Sequence, residues 1–179
     1  MANTIPNTAT RLPRYAGLAV RPVRNGLGIV TVKRIREDAL ICLIKGKVIT
    51  PGKVWRYWHS DPQRAENCYR YSAERYLDPH AEIAQYANHS CKPNCGIRKT
   101  GRQLALYALR PIARGEELVH DYSTLLGADD AWSMACNCGE KNCRKRVRNA
   151  SALPARTLGK YTRMGIIPNY IVATLPSRT

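Results

Sequence analysis

The segment YANHSCKPNC, residues 86–95, gathers two cysteines, a histidine, two asparagines and a serine around one proline. Three kinds of chemistry use such a set of residues. Cys91 could be a nucleophile paired with His89, or Cys91 and Cys95 could be metal ligands. The third interpretation is a turn of Asn, Ser and Pro residues beside two buried thiols. The choice among these three decides what kind of protein this is.

The cysteine spacing favours metal. The chain has seven cysteines, an odd number that argues against a complete disulfide framework and is more typical of metal sites in a reducing compartment. Cys136, Cys138 and Cys143 form a C-x-C-x4-C run in CNCGEKNC, which is too polar to bury three unbound thiols. Structural zinc takes four ligands, so the fourth must come from elsewhere, and Cys91, Cys95 and the histidines are candidates.

The nucleophile interpretation is weaker. Cys91 and His89 are two residues apart, whereas a catalytic Cys–His pair usually joins distant segments, and no neighbour supplies a group to orient the histidine.

Charge is concentrated at the two ends of the 179-residue chain, whose formal net charge is +16. Residues 1–36 and 144–179 contain many lysines and arginines and no acid, while residues 37–143 are nearly neutral. Clustered positive charge favours DNA or RNA as a partner, although basic ends can also simply keep a protein soluble. No apolar run is long enough for a membrane span, so no membrane contact is expected. The basic start leaves a mitochondrial presequence open as an alternative to a flexible arm.

Short apolar runs separated by glycines predict a mostly β fold with a few short helices. Residues 96–110 are expected to form a hairpin that turns at Thr100-Gly101, and residues 67–77 a strand. Residues 79–87 should form a short helix, and residues 50–63 a polar, aromatic insertion with one short helix. An amphipathic helix is predicted within residues 153–164.

Two further motifs are ambiguous alone. NGLG, residues 25–28, is most simply a turn before a strand, and the end of GEELVHDY, residues 115–122, could be a core aromatic. In the order NGLG, YANHSCKPNC, GEELVHDY and CNCGEKNCR, however, the motifs resemble the SET-domain protein lysine methyltransferases that carry a C-terminal post-SET zinc segment. The resemblance covers about residues 17–148.

The resemblance implies a SET fold of the β-clip type with a pseudoknot, a small zinc annex and a helical tail. The expected organisation is a basic flexible arm at 1–16, a SET domain at 17–124, a post-SET zinc segment at 132–148 and a basic tail of one helix at 149–179. The zinc ligands would be Cys91, Cys136, Cys138 and Cys143, with Cys95 outside the cluster. Replacing Cys91 by serine should therefore cost zinc and folding, and replacing Cys95 little.

The resemblance also assigns a cofactor site and a substrate channel. S-adenosylmethionine would be bound by Gly26, Leu27, Gly28, Tyr69, Asn88, His89 and Tyr122. Tyr122 would be the catalytic tyrosine, and Ile44, Tyr86 and His120 would line the lysine channel. Ile44 stands where a channel tyrosine is common, and His120 where a Phe or Tyr commonly influences how many methyl groups are added. His120 could act as a general base or simply as a wall residue.

The function implied is S-adenosylmethionine-dependent protein-lysine N-methylation, with histones or another basic protein tail as substrate. The alternative is a catalytically weakened SET-like binding module or scaffold associated with nucleic acid or ribonucleoprotein, motivated by Ile44, Lys47 and His120. A simple zinc-ribbon nucleic-acid binder is a third interpretation. The expected location is intracellular and reducing: nucleus and chromatin in a eukaryote, cytoplasm otherwise.

Overall fold

Strands dominate the computed structural model, which describes residues 16–176. The strands are β1 (Leu18–Val23), β2 (Gly26–Thr31), β3 (Leu40–Ile44), β4 (Lys47–Ile49), β5 (Tyr69–Ser72), β6 (Arg75–Asp78), β7 (Asn88–His89), β8 (Cys95–Thr100), β9 (Gln103–Ala108), β10 (Val119–His120), β11 (Met134–Ala135) and β12 (Arg146–Val147). The mostly β fold class is confirmed. The predicted arm, and with it the presequence alternative, falls on residues outside the described range except for Ala16.

The helices are few and short. They are α1 (Pro51–Ser60), α2 (Pro62–Glu66), α3 (Ala155–Arg163) and α4 (Asn169–Val172), with 3-10 turns at Ile83–Tyr86, Tyr122–Leu125 and Ala150–Ala152. Across residues 16–176, none of them has the length and apolar character needed to cross a lipid bilayer.

The strands form five small sheets. β1 and β2 make an antiparallel hairpin, β3, β9 and β8 make a three-stranded sheet in that order, and β4, β6 and β5 make another. β11 pairs with β12, and β7 pairs with β10 in parallel. The β8–β9 hairpin is the one predicted from its turn: Gly101 has a positive φ of 57°, a conformation that glycine adopts without strain.

Four local expectations were too simple. Residues 67–77, predicted as one strand, contain β5 and most of β6, which pair antiparallel across a tight turn at residues 73–74. The insertion contains two helices, because Asp61 ends α1 and its side chain accepts from the Arg64 N–H at the start of α2. The tail, predicted as one helix, contains both α3 and α4, because Gly165, with a positive φ of 66°, follows the end of α3 and Pro168 precedes α4. Residues 79–87 contain a 3-10 turn in place of the α-helix.

Apolar side chains collect in one main core and two smaller clusters. The main core joins the hairpin β1–β2 to the sheet β3-β9-β8, and Ile29 and Ile97 within it are fully buried. A second cluster packs the tail, and Ile166 from this cluster lies against Gly96, where a Cβ atom would meet it. A third anchors α1 and α2. The tail is therefore part of the packed domain.

The parallel pair β7–β10 sets up the functional site. Asn88 lies opposite Val119, and His89 lies opposite His120. Parallel strands run in the same direction, so the chain leaves this pair with Ser90 beside Asp121. The segment of Asn88 and His89 therefore lies beside Tyr122, whose N–H donates to His89 Nδ1 at 3.2 Å.

Candidate active site and metal centre

Tyr122 begins the 3-10 turn that follows β10, and aromatic rings surround it. Its ring centroid lies 4.9 Å from that of His120, 5.3 Å from His89 and 6.5 Å from Trp132. Its hydroxyl donates to the Ala87 carbonyl at 2.8 Å. Burial raises the pKa of Tyr122, so the phenol stays protonated and offers its oxygen lone pairs as acceptors.

A narrow cavity of about 120 Å³ opens on one side of this ring. Its aromatic lining consists of Trp58, Tyr69, Tyr76, His120, Tyr122 and Trp132. We call it the aromatic cavity. Of the three predicted channel residues, only His120 lines it. Ile44 is buried in the main core opposite Leu104, and Tyr86 packs at the edge of that core, although its neighbours Gln85 and Ala87 reach the cavity.

His120 is 3% exposed, and neither ring nitrogen has a hydrogen-bond partner among the described residues. Burial, with a smaller contribution from His89, lowers the pKa of His120 to about 3, against the pull of Asp121. An imidazole with this pKa is neutral at physiological pH and a poor proton acceptor. Its environment therefore fits the wall role better than the general-base role.

Acidic groups at the aromatic cavity were not foreseen. Glu66, at the end of α2, and Asp130 both line it. Burial raises the pKa of Glu66, and a hydrogen bond from Trp132 opposes that rise. The cavity thus combines aromatic walls with a carboxylate at half-buried depth, an arrangement that suits the long apolar stem and cationic end of a lysine.

Arg70 holds the segment that carries Trp132. Its guanidinium contacts Asp129 at 2.6 and 2.7 Å and Asp130 at 2.8 Å, and its side chain is 6% exposed. The Arg70 side of this bidentate pair is buried while Asp129 is exposed, and bidentate geometry fixes orientation as well as charge. It ties residues 129–132 to β5, and so places Trp132 beside Tyr122.

Tyr122 also lines a second cavity, of about 400 Å³, whose lining residues are mostly polar. We call it the polar cavity. Asn88, His89 and Tyr122, all predicted cofactor residues, line it, together with Arg24, Asn25 and residues 133–138 except Cys136. The Arg24 Nε donates to the Asn137 carbonyl at 3.0 Å, which links the β1–β2 turn to the cysteine-rich segment. Its volume lies within the range typical of small-molecule sites.

Gly26, Leu27 and Gly28 follow Asn25 of the NGLG motif but do not line this cavity. Gly26 has a positive φ of 90° and closes the β1–β2 turn that presents Arg24 and Asn25. A Cβ atom on Gly28 would lie 2.5 Å from a Glu117 carboxylate oxygen and 2.9 Å from the Asn88 amide nitrogen. Gly28 is therefore needed for packing against this pair.

The Asn88 amide is held from two sides. It donates to the Leu27 carbonyl at 3.0 Å and to the Glu117 carboxylate at 2.8 Å. Leu27 itself is buried in the main core. The NGLG segment thus orients Asn88, whereas the predicted cofactor contacts of Gly26, Leu27 and Gly28 remain predictions.

Tyr69 does not line the polar cavity. It stacks on His120 at a centroid distance of 5.9 Å, and its hydroxyl donates to the Ala84 carbonyl at 2.7 Å. This places Tyr69, predicted as a cofactor contact, in the wall of the aromatic cavity.

His89 connects the polar cavity to the cysteines. Because its Nδ1 accepts from the Tyr122 N–H, its proton is on Nε2, which lies 3.4 Å from the Cys91 sulfur. The side chains of His89 and Cys91, which the sequence did not require to meet, are therefore in contact, and the histidine is the donor. A catalytic pair needs the opposite direction, with the histidine accepting the thiol proton. Burial also lowers the pKa of His89 to about 4.

Four cysteines form a candidate metal centre. The sulfur atoms of Cys91, Cys136, Cys138 and Cys143 all lie within 4.8 Å of one another, and Cys91 and Cys136 are 3.7 Å apart. Tetrahedral zinc with Zn–S bonds of about 2.3 Å separates its sulfurs by about 3.8 Å, so the geometry fits a Cys₄ zinc site. Cys95 lies apart, fully buried in the main core.

Backbone groups support these sulfurs. The Arg144 N–H points to the Cys91 sulfur at 3.4 Å, and the Lys145 N–H to the Cys143 sulfur at 3.3 Å. Such N–H donors stabilise thiolates and orient metal ligands.

Sequence reasoning missed Arg24, Glu66 and Trp132. Trp132 could have been noticed in the sequence. A lone tryptophan in the linker, four residues before Cys136, is seldom left in solvent and therefore indicates a packing or binding role. Arg24 stands immediately before NGLG, and its contact with Asn137 spans 113 positions. No local pattern announces a contact of that kind.

Comparison with known proteins agrees with the geometry. The SET domain family matches residues 26–123, more than half of the chain. Histone-lysine N-methyltransferase trr of Drosophila melanogaster is 32% identical over 128 residues, which cover 67% of this chain and 5% of that protein.

Two fungal proteins are also similar. The H3 lysine-4 specific histone-lysine N-methyltransferase of Saccharomyces cerevisiae is 44% identical over 66 residues, covering 35% of this chain and 6% of that protein. The H3 lysine-36 specific histone-lysine N-methyltransferase of Aspergillus oryzae is 32% identical over 140 residues, covering 72% and 14%. This chain spans only a small part of the length of each relative. With a match over residues 26–123 and a cysteine cluster where a post-SET zinc segment is expected, this chain belongs to the SET-domain family.

Proposed function

We propose that this chain is an S-adenosylmethionine-dependent protein-lysine N-methyltransferase. The observation that carries the proposal is the position of Tyr122, which lines both the polar cavity and the aromatic cavity. A methyl transfer needs a donor and an amine on opposite faces of one methyl group, held in line. Two cavities of different character that meet at a single tyrosine supply this arrangement.

The polar cavity suits the methyl donor. S-adenosylmethionine would supply a methyl group on a sulfonium there. Arg24 offers a guanidinium for a carboxylate, and Asn25 and Asn137 offer amide groups for polar atoms of the ligand. Asn88 and His89 hold the floor of the cavity in place through their contacts with Leu27 and Tyr122. The cluster of four cysteines would hold zinc and keep residues 133–138 in position over this cavity.

The aromatic cavity suits the lysine. Its aromatic walls pack against the alkyl chain and exclude water, and desolvation lowers the pKa of the amine so that it can lose its proton. Glu66 attracts the cationic side chain to the entrance before that loss. The Tyr122 hydroxyl donates its hydrogen bond to the Ala87 carbonyl. Its oxygen lone pairs would therefore accept a hydrogen bond from the amine, or a weak C–H contact from the methyl group during transfer.

The substrate we propose is a histone or another basic protein tail, on the strength of the relatives' activity and of the acidic Glu66 at the cavity. A histone substrate would place the protein in the nucleus at chromatin. Nothing in the comparisons supports mitochondrial import. Contact of the basic ends with DNA or RNA is a separate proposal, supported by the absence of acids from residues 144–179.

The alternative remains a SET-like scaffold without turnover. The argument from Ile44 for this alternative is weaker in the structure, because Ile44 belongs to the main core and packing explains its apolar character. The experiment that separates the two measures labelled methyl transfer from S-adenosylmethionine to histones and to cell lysate, with donor binding followed by calorimetry.

Tyr122→Phe should abolish or strongly reduce transfer while the donor still binds. Tyr71→Phe is the matched control, because it also removes a hydroxyl that donates to a backbone carbonyl, that of Arg102 at 2.7 Å, outside both cavities. If the wild type binds the donor and transfers no methyl group to any protein, the scaffold is correct.

A further inference from the structure

A third cavity, separate from the two at Tyr122, is lined by arginines. Its volume is about 410 Å³, and Arg144, Arg146 and Arg148 line it together with Ser123, Asn149 and residues 152–154. We call it the arginine pocket. The methyl-transfer chemistry proposed for Tyr122 makes no use of it.

Three arginines of the segment RKRVR, residues 144–148, share one pocket. β12 covers Arg146 and Val147, and in an extended chain successive side chains point to opposite sides, so Arg146 and Arg148 share a side. Val147 points the other way and is fully buried, which fixes these two arginines on the side of the pocket. The chain bends at Lys145, where φ is +63°, and Arg144 before this bend lines the same pocket.

The charges in the pocket are only partly compensated. Arg144 is paired with Asp121 at 2.7 Å. Arg146 donates to the uncharged Ser133 hydroxyl at 3.1 Å, and the guanidinium of Arg148 has no acidic partner within residues 16–176. Two exposed guanidinium groups at one concave site favour an anion, and the planar guanidinium fork matches phosphate oxygens.

The positive surface continues beyond the pocket. Pro154 lines the pocket and immediately precedes α3, on which Arg156, Lys160 and Arg163 are exposed. Their spacing of four and three residues places them along one face of the helix, over about 10 Å at about 1.5 Å per residue. No acid occurs between residues 144 and 179. A track of this length suits a chain of phosphates better than a single ion.

We propose that the arginine pocket binds a backbone phosphate of a nucleic acid, with the basic face of α3 contacting phosphates further along the same strand. Recognition is through phosphodiester groups and is therefore independent of base sequence. The pocket shares no lining residue with either cavity at Tyr122, so nucleic acid bound there is expected to leave both of them open.

The test is the binding of a fluorescent 20-base-pair DNA duplex, and of an RNA strand of equal length, followed by anisotropy over a range of salt concentrations. The full chain is used without methyl donor or protein substrate. In Arg146→Ser/Arg148→Ser we expect roughly tenfold weaker binding near 100 mM salt, and a log–log salt slope shallower by about 2. Arg146→Lys/Arg148→Lys should recover most of the slope.

The matched control is Arg75→Ser/Arg102→Ser, which removes two exposed positive charges elsewhere. Equal losses in both double variants would mean that net charge alone drives binding, and would overturn the proposal. So would an unchanged slope in the pocket variant. Zinc content and thermal unfolding of each variant report on folding.

Inorganic phosphate and tripolyphosphate serve as competitors. If the pocket instead binds a free small phosphate, inorganic phosphate and tripolyphosphate compete with each other for the wild type at low concentration. The two double variants then bind nucleic acid equally well, and this result again overturns the proposal. Because no methyl transfer is measured, a failed binding test leaves the proposed enzymatic function untouched. An inactive enzyme likewise leaves the binding result intact.

Discussion

Arg144 donates two hydrogen bonds of 2.7 Å to the carboxylate of Asp121, one to each oxygen. Arg144 directly follows the last cysteine of the cluster, and Asp121 directly precedes Tyr122. Asp121 also accepts from the Ser123 N–H and from the Tyr161 hydroxyl, so the tail takes part in the same network. The metal centre, the candidate catalytic tyrosine and the C-terminal tail are thus joined at one carboxylate.

Breaking this pair should destabilise the protein. Arg144→Met leaves the fully buried Asp121 carboxylate without its cation, and we expect a loss of about 3 kcal/mol in the free energy of unfolding, measured by urea denaturation in excess zinc. Arg110→Met is the control, because Arg110 is exposed and its partner Glu116 is only partly buried, and it should cost under about 1 kcal/mol. Similar losses in both variants would show that the buried pair has no special role.

Replacing Cys91 and Cys95 one at a time distinguishes metal binding from core packing. Cys91→Ser should lose zinc and much of the folding free energy, because three thiolates do not complete the site. Cys95→Ser should keep its zinc. It should nevertheless cost about 1–2 kcal/mol, more than the sequence suggested, because Cys95 is 0% exposed and the new hydroxyl would be buried. Zinc content by mass spectrometry and urea denaturation check both; zinc loss from Cys95→Ser would contradict the ligand set.

A substitution at Glu66 tests whether the aromatic cavity binds the substrate lysine. Glu66→Gln removes the charge but keeps the shape, so we expect KM for a lysine peptide to rise about fivefold with kcat nearly unchanged. Glu74→Gln, exposed and outside the cavity, is the control and should leave both constants as they are. A fall in kcat at constant KM would instead assign Glu66 to the chemical step.

The parts of the site that the sequence predicted are those that sit close together along the chain. Three of the four predicted zinc ligands lie within eight residues, and the strings around Asn88 and Tyr122 are specific enough to identify the family. The resemblance to that family supplied Cys91 as the fourth. Periodicity predicted the β8–β9 hairpin for the same reason, since its turn is local.

The aromatic cavity could not be predicted in this way. Its wall draws Glu66 from α2 and Trp132 from the linker, and the linker is held by the contact between Arg70 and Asp129, 59 residues away. Ile44 was assigned to the channel by its position in the motif, yet its pairing in β3 turns it into the core. Long-range ion pairs and the side of a strand that faces the core depend on the assembled fold, which a single sequence does not encode locally.

His120 gives the stability of the protein a predictable pH dependence. In the folded state its pKa is lowered to about 3, whereas in the unfolded chain it returns to the ordinary value of 6.5. Below pH 6.5 the unfolded state therefore binds the extra proton, and stability falls as the pH drops from 6.5 towards 3, by about 1.4 kcal/mol per pH unit. Urea denaturation at pH 7.5 and 5.0 should show that His120→Phe loses about 2 kcal/mol less than the wild type over this interval.

The same variant separates the two roles considered for His120. As a wall residue it can be replaced by another aromatic ring, so methyl transfer by His120→Phe should stay within about tenfold of the wild type, since only the packing against Tyr69 and Tyr122 changes. A general base contributes about 10² to 10⁴ in rate, so a loss of that size, with the donor still bound, would assign proton transfer to His120. An equal loss of stability in both proteins between pH 7.5 and 5.0 would show that His120 does not titrate as its burial requires.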